Sequence, residues 1–151
     1  MRKLKDLARY LPWVANAKDE DFFLIFINKS LHDYADGKSL TCAIIYERQI
    51  VGNISFNQID YKLSKASIGY WLSQAYRGRG IVTKCVAHLI KIGFDELKLN
   101  KVEIRVATDN ASSRAVPERL GFKLEGIITQ AENVNGIIVD HAVYGYPVNL
   151  V

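Results

Sequence analysis

The chain has 151 residues, 49% of them hydrophobic, with a formal net charge of +4 and a pI of about 9.0. That length and apolar share suit one domain with an ordinary core and exclude a disordered chain. No apolar run reaches the roughly 18 residues of a membrane span. So mild a basic surplus supports no nucleic-acid reading by itself.

The opening MRKLKDLARYLPWV is basic, but no continuous apolar core or small-residue cleavage site follows, so it does not read as a secretory signal. Leu4, Leu7 and Leu11 fall at helical spacing, and Pro12 ends that pattern. KDEDFFLIFINKSLHDYAD has acidic residues in its first turn and a broad apolar face, which predicts a second helix stopping at Gly37. The rhythm then changes. SLTCAIIYER and QIVGNISFNQID are rich in β-branched and aromatic residues, are parted by Glu47, Arg48 and Gln49, and read as a hairpin. KASIGYWLS alternates Ile68, Tyr70 and Leu72 against Ser67, Gly69 and Trp71, a third antiparallel-type strand.

From Gly80 the helical period returns. Val82, Val86, Leu89, Ile90 and Leu97 form a stripe across GIVTKCVAHLIKIGFDELKL, with Asn100 as the expected C-cap. KVEIRVAT is a strand. DNASSRAVPERLG is a short helix capped by Asp109 or Asn110 and stopped by Gly121. Pro117 sits awkwardly inside it, since an interior proline costs about 3 kcal/mol. FKLEGIITQAE and IIVDHAVYGYPV end the chain as strands around NVNG, where Asn135-Gly136 signals a hairpin. Two helices, three strands, helix, strand, helix and two strands make an α+β layout: a mixed, mostly antiparallel sheet flanked by helices, in a single domain over residues 1–151.

YRGRGIVTK, residues 76–84, joins a strand to a helix. A helix start offers free N–H donors to an anion, and Gly78 and Gly80 let backbone approach a ligand. The P-loop pattern does not match. The dinucleotide fingerprint fails because Thr83 holds its third glycine position and the preceding strands look like hairpins. The coenzyme A pyrophosphate loop, Gln/Arg-x-x-Gly-x-Gly/Ala, is met by Arg77 and Gly80 and departed from at Val82. An ordinary glycine turn before a helix stands beside that reading.

IGYWLSQAYRGRGIVTK, KVEIRVATDNASSRAVPERLGF and EGIITQAENVNG together resemble the GNAT superfamily of acetyl-CoA-dependent N-acetyltransferases. Within it they look like the RimL-type, ribosomal-protein-serine acetyltransferase branch. The resemblance runs from about Leu11 to Tyr146, and the branch often has a larger apolar residue where Val82 stands. The family begins with a strand before its first helix. Here the chain opens at RKLKDLARYLPW, so either that strand is missing or the sequence starts late.

The resemblance implies direct acetyl transfer from acetyl-CoA to an amine in a ternary complex. It puts coenzyme A on the loop of Arg77, Gly78, Arg79, Gly80, Ile81, Val82, Thr83 and Lys84, with the pyrophosphate on the backbone N–H groups of about Arg79 to Lys84 and the Thr83 hydroxyl and the cations Arg77, Arg79 and Lys84 adding bonds. It puts the pantetheine arm between GYWLS and VEIRVAT, along Trp71, Leu72 and Ser73, where an N–H near Leu72 or Ser73 meets the developing oxyanion. Asn110 resembles a residue that bonds the arm, and it is equally a helix cap. Glu132 matches the branch's proposed base, against the plainer reading of a solvated glutamate beside a turn. Ser113 falls where the branch has its proposed acid; alternatively it only hydrogen-bonds the sulfur, or supports the first helical turn. Ser112 is its neighbour, and Tyr144 and Tyr146 are alternative donors or packing residues. Cys42 and Cys85 read as buried free thiols in a reducing cytosol and need no role. His88 and His141 belong to no constellation evident from the sequence, and no metal site is evident.

The implied acceptor is a protein N-terminal amine. A polyamine or aminoglycoside is the alternative, and a non-catalytic acyl-CoA-binding module is a third. LPWVANAKDEDFF resembles the region that shapes the acceptor site, with Trp13 as a lining residue and Asp19, Glu20 and Asp21 suited to a cationic acceptor or simply to a helix start. An RNA-binding domain would need a basic stripe or an aromatic platform, and the sequence has neither. The reading is completed by a cytoplasmic location, no membrane, and a homodimer as an open option common in this branch.

Overall fold

The computed structural model describes residues 28, 29 and 31–147. The first expected helix, most of the second, the question of an opening strand, and Trp13, Asp19, Glu20 and Asp21 lie outside the described residues. Residues 31–35 are helical, and Gly37 at φ 70° turns the chain out of them.

Six strands follow: β1 (Leu40–Tyr46), β2 (Gln49–Asp60), β3 (Lys65–Leu72), β4 (Lys101–Ala107), β5 (Lys123–Val134) and β6 (Ile137–Pro147). Helix α1 (Ile81–Asp95) connects β3 to β4, and α2 (Ala111–Arg119) connects β4 to β5. The sheet order is β1-β2-β3-β4-β6-β5. Both expected hairpins form on left-handed residue pairs, Glu47 and Arg48 at φ 49° and 65°, and Asn135 and Gly136 at φ 53° and 87°. That is the backbone twist a two-residue turn between antiparallel strands requires.

β3 is antiparallel to β2 but parallel to β4, because α1 carries the chain back before β4 begins. The parallel pairing is short. It runs from Lys65↔Lys101 to Ile68↔Ile104 and stops there, although β3 continues to Leu72 and β4 to Ala107. Beyond Ile68 and Ile104 the two strands leave an open seam.

Val86, Leu89 and Ile90 of α1 and Val116 of α2 join Phe56, Ile68, Val102, Ile104 and Tyr144 in one core. Gly93 lets α1 lie close to the sheet, since a Cβ there would stand 2.8 Å from the Phe56 ring. Helix α1 ends at Asp95, well before the expected cap at Asn100. Lys98 adopts φ 54°, and the Leu97 and Leu99 N–H groups donate back to the Ile92 and Gly93 carbonyls. This turn drops Leu99 into the core at 2% exposure, which a continued helix could not do.

Glu103 is buried, its side chain 8% exposed, and it holds the closed part of the seam. Lys65 Nζ lies 3.1 Å from it across the β3–β4 pair, with Lys101 at 3.6 Å and Arg105 at 3.7 Å. Burial pushes the Glu103 carboxyl up, but the Lys65 hydrogen bond and the three positive charges outweigh that and hold it below its ordinary value.

Candidate active site

The open seam leads to a pocket of about 210 Å³ where the ends of β3, the 77–83 loop and helix α2 meet. Tyr70, Trp71 and Leu72 form one wall; Arg77, Gly78 and Gly80 to Thr83 form another; Asn110, Ser112, Ser113, Ala115, Val116 and Arg119 form the third. Arg119 was not expected from the sequence. It shares a helical face with Ser112 and Val116, and that spacing from the cap is the signal that points to it.

Gly78 and Gly80 have φ 77° and 74°, and a Cβ built on either meets nothing within 4 Å. The glycines are therefore required by conformation rather than by crowding, and the space above them is open. Gly80 caps α1 without any side-chain hydrogen bond. The first turn thus turns uncapped N–H groups and the positive dipole end toward that space.

The cations divide. Arg77 lines the pocket, with its Nε donating to the Leu72 carbonyl at 3.3 Å. Arg79 points elsewhere, its guanidinium over the Tyr46 and Tyr76 rings at 5.8 and 5.6 Å. Neither the Arg79 nor the Lys84 side chain is part of the pocket wall. Ser73 is also displaced from its expected role. Its N–H donates to the Val51 carbonyl at 2.7 Å, which aims it toward β2. By strand alternation the N–H groups of Tyr70 and Leu72 point the other way, into the seam.

Asn110 is the helix cap: its Oδ1 accepts from the Ser113 N–H and from the Ser112 hydroxyl, both at 3.2 Å. That separates the two serines. The Ser112 hydroxyl is engaged, whereas the Ser113 hydroxyl has no hydrogen-bond partner among the described residues. The helix runs through Pro117, which has no N–H to give the Ser113 carbonyl one turn earlier. Tyr70 supplies the missing donor from across the seam, its hydroxyl 2.7 Å from that carbonyl. Burial, with the neighbouring Tyr144, pushes the Tyr70 phenol far above its ordinary range, so it stays a donor.

Tyr144 and Tyr146 both carry packing or hydrogen-bonding contacts within the fold. The Tyr144 hydroxyl donates to Glu118 at 2.7 Å and accepts from Arg114 Nε at 3.0 Å, and the Tyr146 ring stacks on Phe94 and Phe122.

Glu132 lies within β5, two residues before its end at Val134, and it does not line the pocket. Its Oε2 is 2.9 Å from His141 Nε2, so His141 does belong to a constellation. His141 in turn pairs with Ala107 at the far end of β4, beside the seam. His88 is exposed on α1, and Cys42 and Cys85 are free and half-buried. Among the described residues no group of three or more His, Cys, Asp or Glu is placed to hold a metal, and no helix is long and apolar enough to cross a membrane.

The acetyltransferase (GNAT) domain model matches residues 1–123. The chain belongs to this family. It is a GNAT-fold N-acetyltransferase that uses acetyl-CoA as co-substrate. Along 139 residues it is 40% identical to the putative ribosomal N-acetyltransferase YdaF of Bacillus subtilis, covering 91% of this chain and 76% of that protein. It is 37% identical over 138 residues to the ribosomal-protein-serine acetyltransferase of Escherichia coli, covering 91% and 77%. Other curated acetyltransferases that it matches are spanned over about half their length, 53% and 52%. Among solved structures, the microcin C7 self-immunity acetyltransferase MccE, in complex with acetyl-CoA and AMP, superposes with a TM-score of 0.93 at 33% identity over 97% of this chain and 82% of that one. The GNAT chain's own residues fit the co-substrate: open space above two left-handed glycines at an uncapped helix start suits a pyrophosphate, and a seam where strand pairing stops at Ile68↔Ile104 suits an amide-bearing arm.

Proposed function

We propose that this enzyme acetylates a protein N-terminal amine of the ribosomal-protein type, as a member of the RimL branch. The observation that carries the reading is the open seam, with a backbone anion cradle on one side of its mouth and a carboxylate on the other. The names of the Bacillus and Escherichia relatives support the choice of acceptor.

The roles follow from position. The uncapped N–H groups of α1 bind the pyrophosphate, and Arg77 and Arg119 add charge at the pocket wall. The Tyr70 and Leu72 N–H groups face the arm, and Leu72 is the donor best aimed at the thioester oxygen. Glu132 takes one proton from the acceptor ammonium, directly or through a water, since the protonated amine has no lone pair with which to attack. The C–N bond then forms, the C–S bond breaks, and the Ser113 hydroxyl hydrogen-bonds the departing sulfur. The free cysteines fit a reducing compartment, and the cytoplasm is the location this reading takes.

The test has two stages. Saturating acetyl-CoA at about 100 times its Kd adds about 2.7 kcal/mol of stability, which raises Tm by about 5–10 °C in a chain of this size, whereas ATP gives a small shift. Acetylation of peptides with a free N-terminal serine, compared with spermidine and an aminoglycoside, then assigns the acceptor. Turnover on spermidine alone would reject the protein-acceptor reading.

A further inference from the structure

The β5–β6 ladder carries a bulge beside the seam. Pairing is lost after Ile128↔His141 and resumes at Glu132↔Val139, so Thr129, Gln130 and Ala131 all stand opposite the single residue Asp140. A regular ladder continued from Ile128↔His141 would set Glu132 opposite Ile137, at the hairpin turn. The bulge draws it two positions along β6, about 7 Å toward the seam.

The distortion is held in place. Gln130 adopts φ 50°, an uncommon state for a residue with a Cβ, and its N–H donates to Asp140 Oδ1 at 2.8 Å. The Asp140 carbonyl accepts the Thr108 N–H at 3.0 Å, tying the bulge to the segment that leads from β4 into α2. Glu132 is directly opposite Val139, and His141 shares Val139's face of β6, so the two side chains meet on the diagonal. Both are largely shielded, with His141 18% and Glu132 31% exposed.

We propose that His141 is a positioning residue for Glu132. An ionised carboxylate only accepts, so Nε2 carries the hydrogen and engages Oε2. The other carboxylate oxygen has no hydrogen-bond partner among the described residues, and it is the one left to take the amine's proton. An N–H bond breaks, an O–H bond forms at that oxygen, and His141 keeps its own proton throughout. Asp140 acts one step further out, by holding the bulge that brings the pair together. The inference rests on the assignment of Glu132 as the base.

A mutant cycle tests it, using a short synthetic peptide with a free N-terminal serine, or the best amine from the acceptor screen. Glu132→Gln lowers kcat about 100-fold or more. His141→Ala lowers kcat about 10-fold with KM changed less than about twofold, and His141→Gln, which keeps an N–H donor, recovers part of the loss. In the Glu132→Gln background His141→Ala has no further effect. An equal loss in both backgrounds, or no loss from His141→Ala while Glu132→Gln is impaired, overturns the positioning role and leaves the base assignment standing. Full turnover by Glu132→Gln removes both. Calorimetric acetyl-CoA affinity, unchanged across the set, shows that each variant is folded. Independently of any acceptor, the side-chain 1H–15N spectrum should hold a slowly exchanging His141 Nε2–H signal that disappears in Glu132→Ala. Its absence from the parent protein would refute the pairing.

Discussion

The two sides of the seam are built on opposite principles. On the α1 side, the proposed anion cradle is backbone: two left-handed glycines and an uncapped first turn. On the β6 side, the Glu132–His141 pair is side chain, brought together from two strands by a bulge and an Asp140 clamp. A backbone site is encoded by a few consecutive residues and tolerates change in its side chains. A side-chain site depends on register across a hairpin and fails when any one member is replaced.

Substitutions sharpen that contrast. The largest effect belongs to Gly80→Val. A β-branched residue at φ 74° is strained and pushes a side chain into the cradle, so acetyl-CoA affinity should fall about 100-fold by calorimetry, equivalent to about 2.7 kcal/mol. Tyr70→Phe comes next. It leaves the Ser113 carbonyl without its donor and should cost about 1–3 kcal/mol in urea unfolding. Adding Pro117→Ala restores a helical N–H to that carbonyl and should recover part of the loss; no recovery would mean the Tyr70 bond does not replace the missing helical one. Glu103→Gln tests the closed stem of the seam, at about 1–2 kcal/mol at pH 7. The folded carboxyl sits below its ordinary value, so the wild-type advantage is complete above the unfolded value of 4.5 and disappears as pH falls through the lower folded one. Stability curves for the two proteins should therefore converge in acid. The smallest effect is Arg79→Ala. Its guanidinium rests on Tyr46 and Tyr76 rather than on the pocket, so acetyl-CoA affinity should move by no more than about twofold despite the lost charge.

The same contrast explains what could be read from the sequence. The loop between β3 and α1 is legible because glycine spacing, strand end and helix start lie within one short stretch. The hairpins were legible from turn residues, and the helix–strand order from periodicity. His141 was not, because its partner is nine residues away across a bulge, and alternation counts mislead once a ladder slips. Ser73 was assigned an N–H that strand direction aims at Val51, and sequence does not reveal which edge of β3 faces the seam. Asn100 reads as a cap because a polar residue ends an apolar stripe, whereas the helix stops at Asp95 and a turn carries Leu99 into the core. Pro117 looked like a defect until Tyr70, 43 residues from Ser113, supplied the donor.

The shortness of the β3–β4 pairing has a consequence for how this protein opens. The sheet is two three-stranded halves, β1-β2-β3 and β4-β6-β5, joined through four residue pairs from Lys65↔Lys101 to Ile68↔Ile104. Each half has its own hairpin and long antiparallel ladders, so each should behave as its own foldon, with the junction as the weak line between them. The inward-facing amides of Tyr70 and Leu72 should exchange with deuterium readily in the free protein and slowly once an acetyl-CoA arm lies along the seam as an extra strand. The co-substrate would then act as mortar between the two halves as well as a reactant.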